Sequence, residues 1–343
     1  AQSRTSRTER KVELPLALVL NPSAKSQRKV EQSQMQALRG TLARAALLGH
    51  HTPLHLAQAR FNGAATVLRT FSSGGARPAV TMLSEDEEAL RCVVERFSKE
   101  VLGPKVGKMD AQESLDKDVV DSLFEQGIMG IEAPIEYGGV GLNFTASCLA
   151  VEEIARVDPS VAVLVDIQNT LLITAMMRYG TQLQKDTYLT RLCTDTCASF
   201  CLSEPSSGSD AFALKTRAKR DEAGGEWIIN GSKCWISNAK EAGLFLVFAN
   251  AAPENGHKGI TAFVVDKENP GITVGRKEEK LGIKASSTCE VIFEDCVVKD
   301  SAVLGKVGGG YKMAIDLLNE GRIGIGAQVH FPKSRVCTQS LYR

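Results

Sequence analysis

The sequence predicts an α+β multidomain chain: an N-terminal all-α domain, a middle antiparallel β-barrel or sandwich, and the start of a C-terminal helical bundle that is cut off. Three observations carry that prediction. The apolar period is helical from Ser84 to about residue 193, then short strand-like runs with turn signals reach Phe293, and a helical period returns at Tyr311. At 343 residues the chain is long enough for about two domains of ~150 residues, each with its own core.

Each element has a local reason. Ser84-Glu85-Asp86-Glu87 forms a capping box ahead of Leu90, Val93, Val94, Phe97 and Val101, and Gly103-Pro104 is expected to end that helix. Asp116 caps a helix with Val119, Val120, Leu123 and Phe124 on one face, closed by Gly127. After a Pro/Gly loop at 134–141, another runs through Leu149, Ile154 and Val157. Asp158 before Pro159 opens a long apolar helix to Tyr179, and Thr181 with Gln184 opens one more that ends near Leu192. The period then changes. Runs at 198–202, 214–220, 226–229, 233–236, 244–250, 260–265, 272–274 and 290–293 are short and β-branched or aromatic, and Asn230-Gly231 predicts a type I′ hairpin turn. Eight strands without intervening helices indicate a barrel or sandwich, not a parallel sheet. From Tyr311 a helix passes through Met313, Ile315, Leu318 and Ile323, and is expected to collapse at Phe331-Pro332.

Charge divides the chain. Residues 1–83 hold 12 Lys/Arg and 3 Asp/Glu, whereas residues 84–343 hold 29 basic and 37 acidic side chains, a net of −8. An acidic body gives no electrostatic footprint for nucleic acid. No Asp or Glu occurs between Glu31 and Glu85, while Arg39, Arg44, Arg60, Arg69 and Arg77 do. Arg-rich and acid-free is the composition of a mitochondrial transit peptide, here 35–80, with Met35 as the expected natural start and 1–34 an upstream or disordered segment. The remaining expected boundaries are 81–195 for the helical domain, 196–300 for the β domain, 301–329 for the first helix of the C-terminal domain and 330–343 for a divergent tail. No apolar run approaches the ~20 residues of a membrane helix, so no membrane span is expected.

The titratable residues narrow the chemistry. Nine Cys is an odd number in helix- and strand-like contexts, which argues for a reducing compartment over a disulfide framework. Cys193, Cys197 and Cys201 read as buried structural thiols more readily than as a metal site, and only His257 of the five His lies inside the body. No metal is expected, and acid–base work must fall to carboxylates. No G-x-G-x-x-G follows a strand, against a Rossmann nicotinamide enzyme. Instead SFCLSEPSSGSD (199–210) feeds a strand into a loop of small residues suited to a diphosphate or an isoalloxazine edge.

That string, with KCWIS (233–237), KGITAFVVD (258–266), EEKLGIKASSTCEVIFEDC (278–296) and LNEGRIGIGAQ (318–328), resembles the acyl-CoA dehydrogenase family. GIMGIEAPIEYGG and VDPSVAVLVDIQNTL are most similar to its short/branched-chain members, and the match runs in register from about residue 84 to Gln328. The resemblance implies FAD between the β domain and a C-terminal bundle. Phe200, Cys201, Leu202, Ser203, Glu204, Pro205, Ser206, Ser207, Gly208 and Ser209 would contact it through main-chain groups and small side chains. Trp235 would cover a flavin face, with Ile236 beside it and Ser237 near N5. Ser209, His257, Tyr311, Asn319, Glu320, Gly321 and Arg322 would contact acyl-CoA; His257 stands where the short/branched-chain members usually carry Tyr. The implied reaction is α,β-dehydrogenation of a short branched acyl-CoA such as 2-methylbutanoyl-CoA, in the breakdown of branched-chain amino acids and fatty acids. Electrons would pass to electron-transfer flavoprotein, in a homotetramer of the mitochondrial matrix.

The resemblance places the catalytic Glu of most members in the C-terminal bundle, beyond Val329, and that of the isovaleryl type directly before the Arg matching Arg322. Gly321 fills that position here. Glu320 is one residue earlier, and a one-residue step turns a side chain by ~100°. No catalytic base is therefore assigned, and the chain as written is expected to be inactive. Two alternatives stay open: a non-catalytic product that binds acyl-CoA or a partner, and an acyl-CoA oxidase-like enzyme.

Overall fold

The computed structural model describes residues 82–221 and 224–341, with side chains as far as Val329. The transit-peptide and Met35 expectations lie outside these residues. The first helix, α1 (Glu85–Phe97), starts as its capping box dictates: the Ser84 hydroxyl accepts from the Glu87 N–H, and the Ser84 N–H donates to the Glu87 carboxylate. Gly103-Pro104 does not end the helical path. A wide turn (Ser98–Leu102) and a tight one (Gly103–Lys105) lead into α2 (Val106–Gln112), because Pro104 sits in a first turn where its missing N–H costs nothing. Asp116 caps α3 (Lys117–Glu125), and Gly127 follows at φ +73°. Asn143 caps α4 (Phe144–Ala155), and Asp158 caps α5 (Pro159–Asp166). A wide helical stretch (Ile167–Ile173) joins α5 to α6 (Thr174–Tyr179); a Thr181/Gln184 capping box opens α7 (Gln182–Thr194).

The continuous path Pro159–Tyr179 is 21 residues and is long and apolar enough to cross a membrane, contrary to the expectation of no such run. It is mostly buried in the fold, the position of a core helix. Its side chains Val161, Leu164 and Val165 pack with Leu90, Val94, Leu123 and Ile154 in the helical core.

The strands are β1 (Cys197–Cys201), β2 (Arg217–Arg220), β3 (Glu226–Ser237), β4 (Ala242–Asn250), β5 (Ile260–Asp266), β6 (Ile272–Lys277), β7 (Thr288–Lys299) and β8 (Val303–Leu304). They form one sheet in the order β6-β7-β3-β2-β4-β5-β8, with β1 paired to β4. Most pairs are antiparallel, but β1 and β2 each meet β4 in parallel, because each reaches it by a crossover and not through a hairpin. Along β4 the pleat divides two cores. Leu244, Leu246 and Phe248 pack with Leu172, Leu189 and Leu192 of the helices, and Phe245 and Val247 pack with Trp227, Ile229, Phe263 and Val291 on the other face.

Asn230-Gly231 is not a hairpin turn. The runs 226–229 and 233–236 are one strand, paired to β2 on one edge and β7 on the other, so the chain cannot fold back there. The β2–β3 hairpin closes earlier, where the Asp221 N–H donates to Glu226 O (2.8 Å). Gly231 (φ +149°) instead marks a bulge against β7, and a Cβ there would meet the Thr216 side chain and Cα at 2.6–2.8 Å.

The last helix, α8 (Gly310–Leu341), packs on α4, α5 and β5. It continues past Pro332 instead of collapsing: an interior Pro removes one i→i−4 bond and can kink a helix without ending it.

Candidate functional site

The site assembles where the β1–β2 loop meets β3 and the start of α8. The loop leaves β1 at Cys201 and is held at both ends by one carboxylate. Glu204 accepts from the Lys215 N–H (2.6 Å), the Thr216 N–H (3.0 Å) and the Thr216 hydroxyl (2.6 Å). Its Oε1 also accepts from the Lys233 ammonium (2.7 Å), which donates to Leu202 O (3.1 Å) as well. Lys233 is fully buried, at 0% exposure. Burial pulls its ammonium below the usual lysine range, against the pull of Glu204. Burial pushes the Glu204 carboxyl up, but Lys233, with the Thr216 hydroxyl and the Lys215 N–H, outweighs it and holds it below the usual carboxylate range.

Inside that frame, Glu204 and Ser207 exchange two backbone hydrogen bonds, and the Ser207 hydroxyl donates to Asp210 O (2.7 Å). Pro205, Ser206, Gly208 and Ser209 face outward. Side chains at other expected cofactor positions turn inward. Cys201 is in the core with its thiol pushed up to about 12 by burial, Leu202 is buried, and Phe200 packs on Phe248 with centroids 5.0 Å apart. Glu204 is occupied by the frame itself. At Cys201, Leu202 and Glu204 only main-chain atoms remain for a ligand, while Phe200 is half-buried. Cys193 sits on α7 and Cys197 on β1, both buried.

Trp235 lies beside the loop. The preceding residue, Cys234, donates its N–H to Ser203 O (2.9 Å). A register shift between Lys233 and Ile236 breaks the strand's alternation, and Trp235 takes φ +58°, rare for a bulky residue. The result is an indole 62% exposed, while Lys233 before it and Ile236 after it are buried. Ser237 is fixed by the Ser199 hydroxyl, which donates to its carbonyl (2.8 Å). Asn238 next to it is buried at φ +62°, and neither amide atom finds a hydrogen-bond partner among the described residues. No motif marked Asn238; its burial follows from the turn after β3.

The expected acyl-CoA residues fall into two groups. Tyr311, at the start of α8, stands between His257 (centroids 4.5 Å) and Phe212 (4.1 Å). Phe212 was not anticipated; an aromatic three residues after Ser209 in a small-residue loop was the available signal. About 16 Å further along α8, on nearly the same side as Tyr311, Arg322 donates to the Asn319 side chain. Glu320 points elsewhere, into an ion pair with Arg178 of α6. A Cβ at Gly321 would approach Leu171 Cδ2 at 3.1 Å, so that position faces the helical core. Glu132, also unanticipated, lies near this pair; burial pushes its carboxyl above the usual range, and the Glu320 charge adds to that.

Residues 84–196 match the model of the acyl-CoA dehydrogenase N-terminal domain, and residues 199–296 that of the acyl-CoA dehydrogenase middle domain. The short/branched chain specific acyl-CoA dehydrogenase of Rattus norvegicus is 51% identical over 252 residues, covering 74% of this chain and 58% of that protein. Butyryl-CoA dehydrogenase from Megasphaera elsdenii superposes with a TM-score of 0.70 at 35% identity, over 72% of this chain and 65% of that one. A glutaryl-CoA dehydrogenase from Mycobacterium smegmatis, solved in complex with FADH2, gives 0.66 at 31% identity, over 72% and 62%. The chain spans about 60% of the length of the curated relatives it matches. Two domain matches in consecutive order, on a helical unit followed by this sheet, establish that the chain belongs to the acyl-CoA dehydrogenase family.

Proposed function

We propose that this chain carries the flavin- and acyl-CoA-binding residues of an FAD-dependent dehydrogenase acting on short branched acyl-CoA such as 2-methylbutanoyl-CoA. The observation that carries the reading is Trp235: a large indole held out to solvent by an unfavourable backbone conformation, beside a loop whose outer positions are Pro205, Ser206, Gly208 and Ser209. A planar apolar face next to small residues and main-chain donors fits an isoalloxazine ring and its diphosphate. The unpartnered amide of Asn238 adds a polar contact at the end of the same strand.

FAD supplies the two-electron acceptor for removal of hydrogen across the α–β carbon bond. Trp235 would cover one ring face of the bound cofactor and exclude water from it, and Ser237, its main chain fixed by Ser199, would stand at the ring edge. Phe212, Tyr311 and His257 offer an aromatic wall, and Ser209, Asn319 and Arg322 offer polar contacts to the acyl-CoA. Main-chain and hydroxyl donors at a thioester carbonyl acidify the α-carbon. The α-proton needs a carboxylate in a desolvated position, and residues 319–322 do not supply it, since Glu320 is paired with Arg178 and position 321 is Gly. Electrons pass to an electron-transfer flavoprotein, and the working form is a mitochondrial homotetramer.

Reconstitution with FAD followed by anaerobic addition of 2-methylbutanoyl-CoA tests this. One flavin per chain and a shifted visible band on adding the acyl-CoA are expected, with little bleaching of a dye acceptor because of the Glu320 pairing. A chain that stays colourless overturns the reading. That same pairing favours, as the second reading, an acyl-CoA-binding product without turnover; rapid dye bleaching eliminates it, and rapid oxygen uptake in its place indicates an oxidase.

A further inference from the structure

We propose that the buried Lys233–Glu204 pair is a positioning device that fixes the flavin-binding loop and the Trp235 indole relative to one another. The inference rests on the flavin reading above and adds to it two residues that need not touch the cofactor. Three segments converge on the pair. Leu202 and Ser203 bring the start of the loop, Lys215 and Thr216 bring its end, and Lys233 and Cys234 bring the strand that carries Trp235.

The geometry is over-determined for a device that only stabilises. A fully buried ammonium opposite a buried carboxylate is costly to desolvate, and well-packed apolar side chains of the same volume often hold a fold equally well. What an apolar pair cannot do is fix direction. The Glu204 carboxylate takes two main-chain N–H groups, a hydroxyl and an ammonium, so its plane sets the distance between residues 204 and 215–216. The Lys233 ammonium in turn ties that carboxylate and Leu202 O to β3 two residues before the indole. The loop turns tightly where Glu204 and Ser207 exchange main-chain hydrogen bonds, so fixing Glu204 also fixes the outward residues Ser206, Gly208 and Ser209 that flank Ser207. Thr216 pressed against Gly231 closes the frame, which explains why that bulge position has no room for a side chain.

The test uses the whole chain without cofactor and then with FAD. The variants are K233M/E204Q, which leaves no unpaired charge in the core, and E204D, which keeps both charges but draws the carboxylate back by one methylene. Amide hydrogen exchange across 203–216 is expected to rise at least tenfold in both, with β4 and β5 unchanged. FAD affinity is expected to fall at least tenfold. The flavin that does bind is expected to show a shifted midpoint potential and weaker quenching of indole fluorescence, which loss of stability alone would not produce. Loop exchange and FAD affinity within twofold of wild type in either folded variant overturn the proposal. If the double variant does not fold, E204D decides it on the same readouts. Wild-type chain that takes up no FAD, with loop exchange still raised in the variants, sustains the frame and overturns the flavin reading instead.

Discussion

Trp235 sets stability against binding at a single residue. A bulky side chain at φ +58° costs ~1–2 kcal/mol, and glycine adopts the same conformation freely at an entropic cost of ~0.5–1 kcal/mol. The indole is 62% exposed, and the part that is packed is worth ~1–2 kcal/mol, about what relief of the strain returns. Trp235→Gly should therefore cost the cofactor-free chain no more than ~1 kcal/mol, far less than removal of a buried Trp. The same change removes the ring face against which a flavin would lie, worth ~0.5–1.5 kcal/mol of aromatic contact, so FAD should bind about threefold to tenfold more weakly. Thermal melting of the cofactor-free protein and a fluorescence titration measure the two effects separately. A variant that melts far lower and binds FAD unchanged would mean that the strain serves the fold and not the ligand.

Where α5 crosses α8, helix packing places a carboxylate against a glycine. Asp166 is 1% exposed, the Thr170 hydroxyl donates to it at 3.2 Å, and a Cβ on Gly324 would come within 1.9 Å of its Oδ1. Burial pushes the Asp166 carboxyl up to about 7, with Thr170 opposing. The folded state thus holds its proton more tightly than the unfolded chain, whose carboxyl titrates near 3.8. Below that value the site costs nothing; as pH rises to about 7 the unfolded chain ionises first and stability falls, by up to ~4 kcal/mol above pH 7. Asp166→Asn should flatten that slope and stabilise the protein at pH 8, as urea melts at pH 5 and 8 would show; parallel losses in both proteins would assign the slope elsewhere. The sequence does not reveal this contact, because its partners are 158 residues apart and Asp166 reads as one polar break in an apolar run. What it does reveal is local. The capping residues Ser84, Asp116, Asp158 and Thr181 were legible because each is satisfied within three residues of itself. Asn230-Gly231 misled for the converse reason: a turn and a bulge share residue preferences, and only the pairing of β3 with both β2 and β7 decides between them. The motif singles out Trp235 and Glu204 as expected cofactor contacts, whereas the ion pair between Glu204 and Lys233, inside the same strings, exists only once the loop closes on β3.

The helical part and the sheet are joined by side chains that satisfy each other's backbone, so the described residues are expected to unfold as one cooperative body. Gln168, fully buried in the long core helix, donates to Leu192 O (2.8 Å) and Thr196 O (2.9 Å) and accepts from the Ala198 N–H (3.0 Å). One amide thus holds the end of α7 and the beginning of β1 against the helical core. Gln184 does likewise at the far end of the sheet, donating to Ser301 O and Val303 O, each at 2.9 Å. The Arg191–Asp266 ion pair (2.7 Å) adds a third, partly exposed link. Gln168→Leu keeps the volume but leaves two carbonyls and one N–H buried without partners, at ~1–3 kcal/mol each, of which local relaxation recovers part. A net loss of about 3 kcal/mol corresponds to a melting temperature lower by roughly 6–12 °C for a body of this size. Because the lost bonds span both halves, helical and sheet signals in circular dichroism should fall together in the variant as in wild type. If the sheet instead melts at its original temperature while the helices melt early, the two halves are held by apolar contact alone, and β1 would then lack the fixed origin from which the β1–β2 loop departs.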